Sequence, residues 1–346
     1  MFSHDKSGFK DLLLDFNKQI DQAEKIAKSA QINIKSSEIH NILYFGMGGS
    51  AISGDLLNDI LIKDLNVPLK VVRGYISPKF CSKNTLVIVS SYSGNTEETV
   101  SAAKMASDSG AQFLAVTSGG IIADLAKQNN WNILNLPTGY PPRQALGFTF
   151  FSLYHVLGQT GLAENYEPDL NNLKRFVRDE IIKHDTLKHD GHVLAQELAK
   201  TIHHKIPVIY SSSPFLKTVS KRWQNQLHEN SKSLAFSNVI PEMNHNEIVG
   251  WEMESDLKKS VIAVFLENET VHPRIKERIE LSKTIIKESG AEVVDVYASG
   301  DSILEKAFSL IVLGDWVSYY LAMFNKKDPH TIKNIDYLKN ELAKTL

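Results

Sequence analysis

The stretch Phe45-Gly-Met-Gly-Gly-Ser-Ala-Ile-Ser-Gly54 follows the apolar run Asn41-Ile-Leu-Tyr44 and leads into the helix-like Asp55-Leu-Leu-Asn-Asp-Ile-Leu61. Its glycines permit a sharp turn and a close backbone approach, and the free amides at the start of the following helix attract an anion. Three kinds of phosphate ligand compete for such a loop. A triphosphate loop has the pattern GxxxxGK[ST], and this loop contains no lysine. A dinucleotide loop has the pattern G-x-G-x-x-A, which Gly46, Gly48 and Ala51 satisfy. That fingerprint also wants an acid about 20 residues on, at the end of the next strand, to hold the ribose. The next strand ends Val71-Val72-Arg73-Gly74, with no acid, which disfavours NAD; Arg73 leaves an opening for NADP.

The third strand decides the matter. After Thr85-Leu-Val-Ile-Val89 comes Ser90-Ser-Tyr-Ser-Gly-Asn-Thr-Glu-Glu-Thr99, a hydroxyl-rich turn at a helix start. Ser91, Ser93 and Thr96 can present hydroxyls to one small anion beside the amides of the turn. In a parallel sheet both loops leave the same carboxyl edge, so Ser50 converges with this cluster. Any single serine or threonine here reads better as a helix cap; two such loops on one edge favour a ligand. A third turn on that edge, Thr117-Ser-Gly-Gly120, reads as structural.

Short apolar runs alternating with helical stretches extend outward from these loops. The runs are 41–45, 69–72, 85–90, 112–117 and 131–136, and a second series follows at 206–212, 233–238, 260–266 and 292–297. Strands rich in Val, Ile and Leu on both faces belong to parallel sheets covered by helices. The fold class is therefore α/β, with two doubly wound parallel sheets and a C-terminal helix. One amphipathic helix is expected over residues 8 to 29, a long helical region around 145 to 203, and further helices near 215–229, 273–288 and 302–325. The expected domains are 1–165 with its leading helix, a linker and helix over 166–200, a second α/β domain over 201–326, and a tail over 327–346. The linker begins at Tyr166-Glu-Pro-Asp, where proline interrupts the helical pattern. The tail is expected to pack on the body, since Ile332, Ile335 and Leu338 share a helix face.

Composition narrows the classes of function. The 346 residues suffice for two cores, and 42% apolar with 23% charged residues is ordinary for a folded soluble chain. Lysine and arginine number 38 against 40 acids, so no global positive field exists to gather nucleic acid or acidic membrane. Cys81 is the single cysteine, which excludes an internal disulfide and a cysteine zinc cluster; it reads as a small buried apolar residue. The N-terminus has acids where a signal peptide needs basic residues, and no uninterrupted apolar window reaches about 18 residues. A cytoplasmic protein is expected.

GMGGSAISG together with SYSGNTEET resembles the sugar isomerase (SIS) domain, a doubly wound sheet that binds phosphosugars through hydroxyls. The resemblance implies two SIS domains over most of the chain, with Gly49, Ser50, Ser91, Ser93 and Thr96 holding a sugar phosphate. Three further segments resemble elements of the bifunctional phosphoglucose/phosphomannose isomerases. Tyr140-Pro-Pro-Arg-Gln-Ala-Leu-Gly147 places Arg143 in a proline-stiffened turn on the same sheet edge, where it can meet negative charge. Gln226-Leu-His-Glu-Asn-Ser-Lys232 matches Q-x-x-E-N-x-K, whose glutamate transfers the proton; Glu229 by itself reads as a surface charge. Pro241-Glu-Met-Asn-His-Asn-Glu-Ile248 matches an element whose histidine helps open the sugar ring from the neighbouring subunit. The resemblance thus implies a homodimer with His245 donated across its interface.

The family's last catalytic group is a lysine of the C-terminal helix. Lys339 is the better positional match and Lys333 the nearby alternative; a threonine linked to epimer tolerance falls at Ile332. The implied activity is interconversion of glucose 6-phosphate and fructose 6-phosphate, with mannose 6-phosphate also accepted. No metal or cofactor is implied, since arginine and amides meet the enediolate charge. Two readings stand against it. One is a non-catalytic phosphosugar sensor. The other is the isomerase half of an amide-transferring amino-sugar synthase, which needs a glutaminase domain with an early nucleophilic cysteine.

Overall fold

The computed structural model describes residues 2–167, 169–185, 193–212, 215–254 and 256–345. Part of the expected 145–203 helical region and of the 166–200 linker, residues 168 and 186–192, lies outside these. The chain forms two compact units, Asp15–Arg178 and a second made of Met1–Leu14 with Asp179–Leu346.

The Asp15–Arg178 unit is a five-stranded parallel sheet of order β2-β1-β3-β4-β5. Its strands are β1 (Asn41–Phe45), β2 (Leu69–Val72), β3 (Thr85–Ser90), β4 (Gln112–Thr117) and β5 (Asn132–Asn135). β1 pairs with β2 on one side and β3 on the other, so the strand order reverses there and a crevice opens at the carboxyl ends of β1 and β3. β3 is buried along its whole length, as expected of a central parallel strand. One face carries the core of Leu43, Phe45, Val87, Val89, Phe113 and Ala115, packed with Val100, Ala103 and Ile122; half-buried Cys81 packs at its border. The helix Phe16–Ser29 packs against Leu146–Gln159, which is buried over most of its length.

The second unit is a four-stranded parallel sheet of order β7-β6-β8-β9. It comprises β6 (Ile206–Ser212), β7 (Phe236–Ile240), β8 (Val261–Glu267) and β9 (Glu292–Tyr297). Beside it lies the 22-residue helix Ile303–Phe324, started by a capping box between Ser302 and Glu305. It is apolar and long enough to cross a membrane, and 94% of its apolar window is buried inside the protein. Packing against the helices Leu194–Ile202 and Leu216–Gln226 accounts for that burial.

The structure differs from expectation in four places. The leading helix is two, Phe9–Leu14 and Phe16–Ser29, separated at Asp15, where the chain passes between units. The segment expected as a linker from Tyr166 lies within the Asp15–Arg178 unit up to Arg178. β7 starts at Phe236, later than the apolar run, because the preceding residues close the turn before it: Ser233 N–H donates to Leu227 O (3.2 Å) and Ala235 N–H to His228 Nε2 (3.1 Å). The C-terminal helix Lys333–Leu342 has no buried residue; Ile335 is 38% and Leu338 59% exposed, and only Ile332, just before the helix, is half-buried. The shared apolar face exists, but among the described residues nothing buries Ile335 or Leu338.

Candidate active site

In the Asp15–Arg178 unit, the reversal of strand order brings together the loop after β1, the loop after β3 and the Pro142–Gln144 turn. Ser50 Oγ accepts from Tyr92 N–H (3.2 Å), joining the first two loops. Ser91 and Thr96 hydroxyls bond each other at 2.9 Å, and Ser93, exposed, accepts from Asn95 N–H at 3.3 Å. The helices Gly48–Ile60 and Glu97–Ala106 begin without a side-chain cap, so their first amides point out with no hydroxyl closing them. Ser50, Ser91, Ser93 and Thr96 thus sit as the sequence placed them, around two uncapped helix starts.

The third loop is locked to the second. Tyr92 OH donates to Pro137 O (2.6 Å) and accepts from Tyr140 N–H (3.1 Å). Gly49 lies against the backbone of Pro142 and Arg143: a Cβ there would stand 2.9 Å from Pro142 O and 3.0 Å from Arg143 Cα. Glycine is therefore required by close approach, and Arg143, 4% exposed, is held at the same edge as the hydroxyls. The turn 117–120 is structural: Ser118 Oγ and N–H both donate to Tyr92 O, and Thr117 Oγ1 donates to Gly119 O. Arg73, which kept the NADP reading open, is paired with Asp55.

In the second unit, Glu229 sits on a π-helical turn, Leu227–Ser231, that extends the helix Leu216–Gln226. Such turns are uncommon and occur often at functional sites. Buried hydrogen bonds fasten this segment to the apolar helix. Arg222 Nη2 and Gln226 Nε2 each donate to the Asp315 carboxylate at 2.7 Å, and Trp223 Nε1 donates to Leu310 O at 2.7 Å. Burial raises the Asp315 carboxyl above its ordinary range, and the Arg222 charge opposes that rise. Gly314 is needed here, since a Cβ would lie 2.3 Å from Trp223 Nε1. Asn230 Nδ2 donates to Ser318 Oγ (3.0 Å) and Ser231 Oγ to Ser318 O (2.8 Å).

Lys232 closes the turn. Its backbone is left-handed (φ 57°), and its ammonium donates to Glu229 O and Asp328 O at 2.8 Å, with Asn230 O and Pro329 O at 3.2 and 3.3 Å. It thereby ties the Glu229 turn to the segment that enters the C-terminal helix. Glu229 lines a pocket of about 820 Å³ with His4, Lys6, His228, Lys232, Lys326, Lys327, Asp328 and residues 331–335. The lining is rich in lysine, which suits an anionic ligand.

Two sequence-predicted residues of the second unit are not in this lining. His245 ends the short turn Glu242–His245 after β7 and is exposed; the adjacent Glu247 is held by Tyr210 OH and Asn238 Nδ2, both at 2.6 Å. Lys339 is exposed on the C-terminal helix, whereas Lys333, Thr331 and Ile332 are in the lining. Sequence reasoning missed the role of Lys232, though it stood inside the motif quoted for Glu229. It also missed His4 and Lys6, for which the N-terminal sequence carries no signal.

Two doubly wound parallel sheets with an uncapped, hydroxyl-lined crevice define an α/β protein of the SIS class. The family described as bacterial phospho-glucose isomerase C-terminal SIS domain matches residues 192–342. A bifunctional phosphoglucose/phosphomannose isomerase of Caldicellulosiruptor bescii is 38% identical over 94% of this chain and 96% of its own. One of Aquifex aeolicus is 34% identical over 88% and 90%. Among solved structures, the C-terminal domain of glucosamine-fructose-6-phosphate aminotransferase from Francisella tularensis superposes with a TM-score of 0.67 at 12% identity, over 92% of this chain and 98% of that one. The chain belongs to the bifunctional phosphoglucose/phosphomannose isomerase family.

Proposed function

We infer that the chain is an aldose–ketose isomerase that interconverts glucose 6-phosphate and fructose 6-phosphate and also accepts mannose 6-phosphate. Kinship along nearly the whole chain supports the activity. The observation that carries the mechanism is Glu229, held on a fastened turn in a lysine-lined pocket.

Gly49, Ser50, Ser91, Ser93 and Thr96 hold the substrate phosphate with hydroxyls and helix-start amides. His245 and a lysine of the C-terminal segment open the ring by moving a proton to the ring oxygen and removing one from the anomeric hydroxyl. Lys333 takes the lysine role within one chain, since it lines the Glu229 pocket. Lys339 takes it if the C-terminal helix serves a second subunit. The Glu229 carboxylate removes the proton from C2 of the open aldose to leave an enediolate, and the proton of the C2 hydroxyl passes to the C1 oxygen. Glu229 returns its proton to C1 as the C2 hydroxyl becomes the ketone. Arg143 balances the negative charge of the enediolate. C2 is planar in the enediol, so glucose and mannose phosphates share it and differ only in the face that takes the proton back.

A homodimer is part of this reading. Ile335, Leu338 and Leu342 leave an exposed apolar strip on the C-terminal helix, and a second subunit is the occupant that this strip and the exposed His245 suit. The enzyme works in the cytoplasm, where its phosphosugar substrates are made.

The test is a coupled assay of the purified chain with each of the three sugar phosphates. Turnover of glucose and mannose phosphates to fructose 6-phosphate is expected. Tight binding without turnover of any of them would instead establish the sensor.

A further inference from the structure

The beginning of the chain reaches the Glu229 pocket from the far end of the sequence. His4 and Lys6 line it, while the residues between and after them are spent on the body of the second unit. Asp5 accepts from Phe9 N–H (2.7 Å), Lys10 N–H (3.0 Å) and Tyr319 OH (3.1 Å). Ser7 Oγ donates to Asp328 Oδ1 at 2.7 Å, and Asp328 is itself a lining residue. Lys10 Nζ pairs with Asp185 at 2.6 Å. Side chains on both sides of Lys6 therefore anchor the segment, and Lys6 is presented to the pocket.

Lys6 has no hydrogen-bond or ion-pair partner among the described residues. The nearby lysine of the lining that also carries structure, Lys232, has its ammonium committed to four carbonyls. Lys6 thus offers an uncommitted cation on a segment fixed by side chains on both sides of it. A cation so placed recognises an oxygen-rich anion such as a sugar phosphate.

We propose that the N-terminal arm is a working part of the pocket: Lys6 binds substrate oxygens there, and Asp5 and Ser7 are positioning residues that hold it in place. The proposal rests on the reading of the Glu229 pocket as the site of proton transfer.

The experiment is steady-state kinetics of the full chain with fructose 6-phosphate at two ionic strengths. Lys6→Ala is expected to raise KM about tenfold, the worth of one charge-assisted contact, with kcat near native. Lys6→Arg is expected to keep a native KM, and the KM of Lys6→Ala should respond less to salt than that of the native chain. Asp5→Ala should raise KM in the same direction with Lys6 still present. A folded Lys6→Ala chain with native KM and native salt response overturns the proposal, and a native KM in Asp5→Ala removes its positioning half. Glu229→Gln separates the two levels. An inactive Glu229→Gln beside a native Lys6→Ala defeats the arm alone, whereas native turnover in Glu229→Gln defeats the pocket reading and the arm with it.

Discussion

At the carboxyl ends of β1 and β3, hydroxyls and amides face the crevice, those of Ser91, Thr96 and Ser50 and of two uncapped helices, with the buried Arg143 held at the same edge. β6 and β8 hold the corresponding places in the second sheet, since β6 is also flanked by the next strand in sequence and the one after. There β8 ends in Glu267, which is buried and takes the Lys283 ammonium at 2.5 Å; Lys283 also reaches Asp295 at 3.0 Å. A phosphate approaching that edge meets a carboxylate whose counter-charge is already engaged. One plan has thus been used twice with different chemistry at the edge. Hydroxyls, amides and Arg143 suit the first edge to an anion, and an internal ion pair occupies the end of β8 at the second. Glu229, the acid–base group proposed above, is carried elsewhere, on the π-turn at the end of a helix. The function proposed above gives the substrate phosphate chiefly to residues of the first unit and the transfer of the proton to Glu229 of the second.

That division can be broken one unit at a time. The largest effect is expected in the second unit: Glu229→Gln should lower kcat by about 10²–10⁴-fold, the usual contribution of an aligned general base, with KM little changed. Next comes the first unit, where Ser91→Ala with Thr96→Ala should raise KM for each sugar phosphate tenfold or more, at about 1 kcal/mol or more per lost bond to an anion, and lower kcat less. Competition by inorganic phosphate should weaken in parallel. If this pair lowers kcat alone, the division of labour is wrong. Gly49→Ala is expected to lower kcat/KM about tenfold or more, because its Cβ would displace the backbone at Arg143. Circular dichroism should show the fold retained. The smallest change to the folded chain itself is expected from Leu338→Asp, which puts a charge on the apolar strip of the C-terminal helix and lowers kcat only as far as the dimer that supplies His245 is lost. It should convert dimer to monomer in light scattering at matched concentration; an unchanged mass would remove that strip from the interface.

The legible parts of the molecule are those whose signal is local. β1, β2, β3, β4, β6 and β9 coincide with their apolar runs, because a buried parallel strand is apolar on both faces and closed by a turn. The hydroxyl crevice could be read for the same reason: each of its loops lies just after one strand. Failures occurred where distant residues decide. Asp15 interrupts a continuous helical pattern because the chain changes units there, which periodicity does not record. The start of β7 is set by residues returning to Leu227 and His228, not by the apolarity of Leu234, which stays 66% exposed. The apolar strip at Ile335 and Leu338 was readable, but its partner was not. Glu229 alone is an ordinary glutamate; its surroundings are fastened by Arg222 to Asp315 and by Lys232 to Asp328, which tie its own helix and turn to residues 93 and 96 positions on. His4 and Lys6 reach the pocket only through the bonds of Asp5 and Ser7.

The central claim is that Glu229 carries the substrate proton between C2 and C1. It is tested most directly by following fructose 6-phosphate in deuterium oxide by proton NMR, with native chain and with folded Glu229→Gln. The native chain should form glucose 6-phosphate whose C2 hydrogen is the proton taken from C1, with deuterium entering there only as far as the Glu229 carboxyl exchanges with solvent before returning it, and Glu229→Gln should show neither conversion nor deuterium entry beyond background. Native-rate conversion by Glu229→Gln, with the same deuterium entry, would contradict the account.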